Sequence, residues 1–168
     1  MIDFKKGMKM ITEIDDISKL PVCIDIIRKS FATVAKEFNF TKENCPSHTS
    51  FMPVEKLEEQ FRNEYQMFLY SYHSDFAGFF SVHTDKNHAL ELNTLAVLPA
   101  YRHNGIGTEM IEFSKAYAYE HNCIKIKISI VEENLRLRKW YETLGFVHTG
   151  TKIIPNLPFT VGYMEFTV

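Results

Sequence analysis

The feature that most constrains the fold is an apolar run that leads through a short glycine-containing loop directly into a helix-forming stretch. The run ends at Pro99, the loop contains Arg102, Gly105 and Gly107, and the helix-forming residues begin at Thr108. Where a strand passes through such a loop into a helix, unpaired backbone N–H groups and the positive end of the helix dipole converge on one point. Glycine at that point allows a ligand to approach the main chain. This segment therefore predicts an α/β fold with a phosphate-binding junction.

Two common phosphate-binding motifs do not fit this junction. A P-loop ends in Gly-Lys-Ser or Gly-Lys-Thr, and the chain contains neither sequence. The dinucleotide-binding fingerprint requires a third glycine where Met110 stands, although Glu132 follows about one strand later, as that motif demands. Nothing before residue 90 supplies a second nucleotide-binding half, so a dinucleotide-binding protein is disfavoured.

The loop instead resembles the acetyl-CoA-binding signature of the GNAT (GCN5-related N-acetyltransferase) superfamily. That signature is Arg or Gln, any two residues, Gly, any residue, and Gly or Ala, after a strand. Arg102, Gly105 and Gly107 occupy its three defined positions. Together with a second block further along the chain, the resemblance covers about residues 88 to 150.

The second block resembles the superfamily's C-terminal signature, which begins with Asn and ends with Gly-Phe. Asn134, Tyr141 and the pair Gly145-Phe146 all fall in register with it. The one departure is Leu137, where the family prefers a small residue, and this larger side chain is expected to narrow the cofactor groove. A helix and one strand separate the two blocks, which also agrees with the family.

The resemblance implies a GNAT fold of the α/β class, with a mixed, mostly antiparallel twisted sheet of about six to seven strands flanked by about four helices. We expect a single domain over residues 1–168; because Met8 and Met10 offer alternative starts, residues 1–7 either belong to this domain or extend it. Hydrophobic periodicity and turn residues predict strands at 8–14, 66–72, 76–84, 88–98, 123–131, 146–154 and 161–168, and helices at 17–38, 53–65, 105–121 and 134–144.

Composition excludes several classes of function. A net charge of −2 gives no basic footprint for nucleic acid. No apolar run approaches the ~20 residues that span a bilayer, and the N-terminus lacks the apolar region of a secretory signal. The cysteines, Cys23, Cys45 and Cys123, are three in number and widely spaced, which is typical of reduced thiols in a cytoplasmic protein. The seven histidines show no metal-ligand spacing, so we expect no metal and interpret them as surface or packed residues.

The resemblance implies acetyl-CoA as co-substrate and assigns backbone groups to hold it. The loop is expected to bind the pyrophosphate through Arg102, His103, Asn104, Gly105, Ile106, Gly107 and Thr108. The Arg102 guanidinium either adds positive charge there or braces the loop. In the superfamily the preceding strand separates from its neighbour, so that the backbone of Leu95, Ala96 and Val97 pairs with the pantetheine arm and polarises the thioester carbonyl. Asn134 is expected to bind pantetheine, to cap its helix, or to do both.

Glu91 is the candidate general base. It stands four residues before Leu95, and an acidic residue at that place is the base in some members of the superfamily. An alkyl ammonium has a pKa near ~10.4, so a carboxylate that removes its proton, directly or through water, aids attack. A period of two places Glu91 on the same face as Leu95 and Val97 unless a bulge intervenes. The alternative is a solvent-facing glutamate, with a water relay in its place.

Tyr141 is the candidate general acid. It lies seven residues after Asn134, which is two helical turns, so both side chains share one face. The phenol pKa of about 10 is close to the thiol pKa of about 8.5, and this match suits proton donation to the departing sulfur. The alternative is a tyrosine that only packs beside Trp140 and Phe146.

These inferences predict transfer of acetyl to a primary amine of a small molecule or peptide, by direct attack in a ternary complex, because neither signature contains a cysteine. The alternative function is a non-catalytic acyl-CoA-binding or sensing module. A polyamine, an amino acid, an aminoglycoside and a peptide N-terminus all remain possible acceptors, and we expect a monomer or a homodimer. Five aromatic residues line an acceptor pocket or belong to the core: Phe38, Phe40, Phe51, Tyr70 and Phe159.

Overall fold

A seven-stranded sheet forms the centre of the computed structural model, which describes residues 9–168. Its strands are β1 Lys9–Glu13, β2 Gln66–Tyr72, β3 Asp75–Thr84, β4 Ala89–Val97, β5 Lys125–Val131, β6 Val147–Ile153 and β7 Thr160–Thr167. The strand order is β1-β2-β3-β4-β5-β7-β6, and only the β4–β5 pair is parallel. The predicted mixed, mostly antiparallel sheet is confirmed, whereas the prediction for residues 1–7 and the strand start at Met8 lie outside the described residues.

Four helices cover the two faces of this sheet. They are α1 Leu20–Glu37, α2 Val54–Arg62, α3 Ile106–Glu120 and α4 Leu135–Thr143. The helices α1 and α2 pack on one face, while α3 and α4 pack on the other. No helix in residues 9–168 is both long enough and apolar enough to cross a bilayer.

The helix starts follow local capping rules. The Asp16 carboxylate accepts a hydrogen bond from the Ser18 N–H at 2.8 Å in the short 3-10 turn that leads into α1. Pro21 lies in the first turn of α1, where a missing N–H costs nothing. Pro53 is the cap residue of α2 rather than its first residue, so this helix begins one residue later than predicted. Gly145 follows α4 with a φ of +90°, a left-handed conformation that ends the helix.

The parallel pair β4–β5 separates soon after it begins. Ladder pairing stops at Glu91 and Lys127, after only three residue pairs, although β4 continues to Val97. On its other edge β4 stays paired with β3 to the end of the strand. The edge of β4 that faces β5 therefore carries backbone groups without a strand partner, and a cleft opens between the two strands.

A bulge in β4 lies where this separation starts. Ser81 of β3 pairs with Thr94 while Val82 pairs with Leu92, so Asn93 is an extra residue in β4. One extra residue reverses the face on which the following side chains lie. Leu92 and Leu95 consequently pack on the same face of the sheet, the one covered by α3 and α4.

Candidate active site

The cleft between β4 and β5 has an outer and an inner part, with volumes of about 550 Å³ and 280 Å³. The outer part is bounded by the glycine loop, α1 and the start of α4, and the inner part by both strands, α1, α4 and two loops. The two parts share five lining residues: Phe31, Val34, Leu95, Asn134 and Leu137. Because these residues line both, the two parts adjoin each other along a common wall.

Gly105 sets the geometry of the loop. It has a φ of +77° and immediately precedes the first residue of α3, and a Cβ built on it would meet no atom within 4 Å. The left-handed backbone favours glycine here, and the space in front of the residue is open. His103 also has a positive φ, of 63°, and it lines the outer cleft, as do Ile106 and Thr108. The loop thus presents its backbone to the cleft.

Arg102 braces the loop. Its guanidinium donates hydrogen bonds to the Val97 carbonyl at 3.2 Å, the Thr33 hydroxyl at 3.0 Å and the Ser30 carbonyl at 2.8 Å. These contacts join the loop to β4 and α1. Burial, with a smaller contribution from the charge of Arg136, lowers the pKa of Arg102. Of the two roles expected for this side chain, the structure shows the bracing role.

Gly107 makes room for an aromatic side chain. A Cβ on Gly107 would lie 3.2 Å from the ring of Trp140, the single tryptophan of the chain. Both residues line the outer cleft. A larger side chain at position 107 would therefore displace either the indole ring or the loop.

Leu95 and Val97 lie along the cleft, but two of the residues expected to bind the cofactor, Ala96 and Asn104, do not line it. Ala96 is buried on the opposite face, in the cluster beneath α1 and α2. The Asn104 amide donates hydrogen bonds to the carbonyls of Tyr101 and Arg102, at 3.0 Å and 3.1 Å. Asn104 therefore stabilises the turn, and any role of Ala96 at the cleft belongs to its backbone.

The first turn of α4 places Asn134 at the junction of the two parts. Its side-chain oxygen accepts the Leu137 N–H at 3.2 Å, as a helix cap does. Asn134 is buried and lines the cleft, and its amide nitrogen is the polar atom of the side chain that the capping bond leaves available. Leu137 lines both parts of the cleft beside it.

Tyr141 lies at the inner end. It is 6% exposed and lines the inner cavity together with Asn134. Its ring packs against Trp140 and Phe146, with centroid distances of 4.8 Å and 5.4 Å. Among residues 9–168 its hydroxyl makes no hydrogen bond. Burial raises the pKa of Tyr141.

Glu91 occupies the last position of the parallel ladder. It is half-buried, pairs with His83 of β3 and Lys127 of β5, and lines neither part of the cleft. The period-two expectation that it shares a face with Leu95 is wrong, because the bulge at Asn93 intervenes. Asn93 itself lines the inner cavity.

The sequence did not indicate the wall that α1 contributes, which contains Ser30, Phe31 and Val34. The Ser30 hydroxyl is buried without a partner among the described residues. His48, which follows α1 in the next loop, also lines the inner cavity, so it is not merely a packed residue. Only the amphipathic pattern of α1 signals this wall, and that pattern does not distinguish a cleft from a core.

The five aromatic candidates divide between cleft and core. Phe159 lines the inner cavity. Phe40 is buried in a small cluster against which Phe38 packs. Phe51 lines neither part of the cleft. Tyr70 is buried beneath α3, lines neither part of the cleft, and donates a hydrogen bond to the Glu109 carboxylate.

Comparisons with known proteins agree with this geometry. The family model described as "Acetyltransferase (GNAT) family" matches residues 31–146, more than half of the chain, and the chain therefore belongs to that family. An uncharacterized N-acetyltransferase of Schizosaccharomyces pombe is 35% identical over 63 residues, which are 38% of this chain and 43% of that protein. The chain thus matches less than half the length of that relative.

Two solved structures share the fold across nearly the whole chain. The ribosomal-protein-S18-alanine N-acetyltransferase of Escherichia coli superposes with a TM-score of 0.76 at 16% identity, covering 96% of this chain and 94% of that one. The PaiA N-acetyltransferase of Thermoplasma acidophilum, in complex with coenzyme A, gives a TM-score of 0.73 at 15% identity, covering 96% and 99%. At these identities the likeness establishes the fold.

Proposed function

We propose that this protein transfers the acetyl group of acetyl-CoA to a primary amine by direct attack in a ternary complex. The observation that carries the proposal is the pair of adjoining cavities at the β4–β5 separation. Gly105 of the glycine loop lines the outer cavity, and Tyr141 lines the inner one. A phosphate-binding junction and a proton donor thus lie in neighbouring parts of one cleft.

The residues of the cleft fit this co-substrate. Backbone N–H groups of residues 103–108 would hold the pyrophosphate at the N-terminus of α3, since the Arg102 N–H already bonds the Pro99 carbonyl. The free edge of β4 beyond Glu91 offers N–H and C=O groups to an extended amide chain, as an added strand would require. The buried Ser30 hydroxyl, which has no partner among the described residues, and the Asn134 amide supply further polar groups. Acetyl-CoA supplies the activated acyl group when bound.

Tyr141 is the proposed general acid. Burial raises the pKa of Tyr141, which keeps the phenol protonated at neutral pH but also widens its gap from the thiol pKa of about 8.5, so the hydroxyl would act first as a hydrogen-bond donor to the departing sulfur. The hydroxyl makes no competing hydrogen bond within residues 9–168, so this proton is free to be donated into the cavity.

Glu91 is the proposed general base, and it acts through water. It lies at the point where β4 and β5 separate, next to the extra residue Asn93, but it does not line the cleft itself. A water at the bulge would carry the amine proton to the carboxylate. Backbone N–H groups of β4 near Leu95 would polarise the acyl carbonyl.

The test combines two measurements on the same protein. Release of free thiol from acetyl-CoA is followed with a panel of amines, and binding of acetyl-CoA is followed by the fluorescence of Trp140, which lines the outer cleft. Amine-dependent thiol release is the expected result. Binding without thiol release for any amine would instead identify the alternative, a non-catalytic acyl-CoA-binding module.

A further inference from the structure

We propose that the acceptor is a small monoamine with an apolar, uncharged body, and that the inner cavity discriminates against acceptors with a second ammonium group. This inference rests on the proposed function and names the substrate class for the same site. It follows from the residues that line the inner cavity and from the bonds that the charged groups around it already make.

The inner cavity lacks acidic lining residues among those that the structure describes. Most of its lining is apolar, and its polar side chains are neutral: His48, Thr49, Asn93, Ser129, Asn134 and Tyr141. A second ammonium group that packed against the apolar walls of this cavity, away from the exposed Asn93 and Ser129, would lose part of its water and find no carboxylate. Burying a charge without a partner is strongly unfavourable, so polyamines and aminoglycosides would bind poorly.

Acidic residues near the rim already have partners. Glu37 accepts a hydrogen bond from Arg136 at 3.0 Å, and Glu133 accepts the backbone N–H of Thr160 at 3.0 Å. Glu132 contacts both Arg138 and His148 at 2.9 Å. Because these carboxylates already bond other groups, they are not available to bind a second ammonium group.

His48 presents a hydrogen-bond donor to this cavity. Its Nδ1 accepts the Ser50 N–H at 3.3 Å and lies 2.8 Å from the Ser50 hydroxyl. A ring nitrogen that accepts a backbone N–H carries no proton, which assigns the proton of the neutral ring to Nε2. Burial lowers the pKa of His48 and so favours this neutral form. The Nε2–H group can donate a hydrogen bond to a hydroxyl, ether or carbonyl oxygen of the acceptor. It cannot bond an ammonium group, which has no lone pair to accept it.

Aromatic rings form one side of the cavity around His48. Phe31 and Phe159 both line it. Phe40 lies behind them, with its ring centroid 5.0 Å from that of His48 and 5.1 Å from that of Phe159. A volume of about 280 Å³ is at the lower end of the range for small-molecule sites. The walls and the size therefore fit one flat or branched apolar group.

The first experiment compares acceptors on the wild-type protein. Phenethylamine, tyramine and an alkyl monoamine are tested against spermidine and kanamycin, by thiol release from acetyl-CoA and by calorimetric titration of each amine without cofactor. We expect kcat/KM for the best monoamine to exceed that for spermidine by about 100-fold, as for a site that leaves a polar group unpaired. Equal or better turnover of spermidine or kanamycin would overturn the inference.

The second experiment adds the missing charge. Ser129 is exposed to the cavity, so Ser129→Asp places a carboxylate there, and Ser129→Asn is the neutral control of the same shape. Relative kcat/KM for spermidine should rise by about tenfold or more in Ser129→Asp alone. An unchanged preference would contradict the argument from charge.

The calorimetric titration separates the two proposals. If monoamines bind but release no thiol, the proposed catalytic function fails and the assignment of the pocket stands. If spermidine binds more tightly than every monoamine, the assignment of the pocket fails whatever the activity.

Discussion

Asn134 and Tyr141, two turns apart on α4, line the same inner cavity, one at its junction with the outer cleft and the other at its buried end. The helix rises ~1.5 Å per residue, so these side chains are spaced about 10 Å apart along one face. The outer residue is fixed by its capping bond to the Leu137 N–H, while the inner hydroxyl makes no bond to residues 9–168. One helix face therefore combines a rigid binding group with an uncommitted proton donor.

Replacing Tyr141 with Phe should lower kcat and leave the affinity for acetyl-CoA nearly unchanged. The ring packing on Phe146 is retained and no protein hydrogen bond among the described residues is lost, so the free energy of unfolding should change by less than about 1 kcal/mol. Steady-state kinetics and urea unfolding measure both quantities. Tyr119→Phe, on the exposed side of α3, is the control. Full turnover, or unfolding of Tyr141→Phe, would make the residue structural.

Replacing Gly107 with Val should weaken acetyl-CoA binding at least tenfold, or about 1.4 kcal/mol. The new side chain would meet the Trp140 ring, which a Cβ alone already approaches to 3.2 Å, and would move either the ring or the loop. Titration calorimetry measures the affinity. Ala116→Val adds a similar branched side chain on the exposed face of the same helix, and it should bind normally. Unchanged affinity in a folded Gly107→Val protein would remove the loop from the binding site.

Replacing Glu91 with Gln should lower kcat by roughly 10²–10⁴ and alter the acidic limb of the pH–rate profile. The reason is that a carboxamide cannot take up the amine proton that water relays to it. Glu55→Gln, on the exposed surface of α2, is the matched control for charge. A Glu91→Gln enzyme with the wild-type rate and profile would assign proton removal to the water around Asn93 alone.

Replacing Asp85 with Asn should destabilise the closed end of the β4–β5 pair. The Asp85 carboxylate accepts the Ala89 N–H at 3.0 Å and bonds Lys127 at 2.8 Å, which joins the β3–β4 turn to β5. The hydrogen bond from Lys127, followed by that from the Ala89 N–H, lowers the pKa of Asp85 to about 2 from 3.8. At pH 7 the loss should be about 0.5–1 kcal/mol, because solvent partly screens the pair.

The loss of stability in Asp85→Asn should depend on pH, because the pKa of Asp85 is lower in the folded protein than its ordinary value. A carboxyl group whose pKa is lower in the folded state stabilises the protein above pH 3.8, and this contribution disappears as the pH falls toward about 2. Urea unfolding of wild type and Asp85→Asn should therefore differ at pH 5–7 and converge near pH 2. Asp25→Asn, in the exposed Asp25–Lys29 pair, is the control. A difference that persists at pH 2 would show that charge is not its cause.

The sequence predicted those parts of the site that depend on local rules. Gly105 before α3 and Asn134 before α4 are where turn and capping chemistry require them. The alternation of Ile124, Ile126, Ile128 and Ile130 also predicts one buried face. The last three are buried in β5, whereas Ile124 precedes the strand and is exposed. Because these features depend on residues only a few positions apart, the sequence pattern alone predicts them.

Other parts of the site depend on contacts between distant segments. The bulge at Asn93 is defined by the register against Ser81 and Val82, and it places Glu91 away from the expected face. Similarly, His48 reaches the cavity because the loop after α1 folds over the sheet. No periodicity within either segment encodes these relationships, so they emerged only from the folded chain.

The early end of the β4–β5 ladder gives this protein a divided architecture. Strands β1 to β4 form one half-sheet and β5 to β7 the other. Within residues 9–168 their backbones are joined by three ladder pairs, which end at Glu91 and Lys127, and by the Ile124 N–H bond to the His88 carbonyl just before them. A pantetheine arm in the cleft would add hydrogen bonds across this seam and would act as a removable structural element. Since a ligand stabilises the state that binds it, the resistance of the sheet to unfolding would rise and fall with the supply of co-substrate.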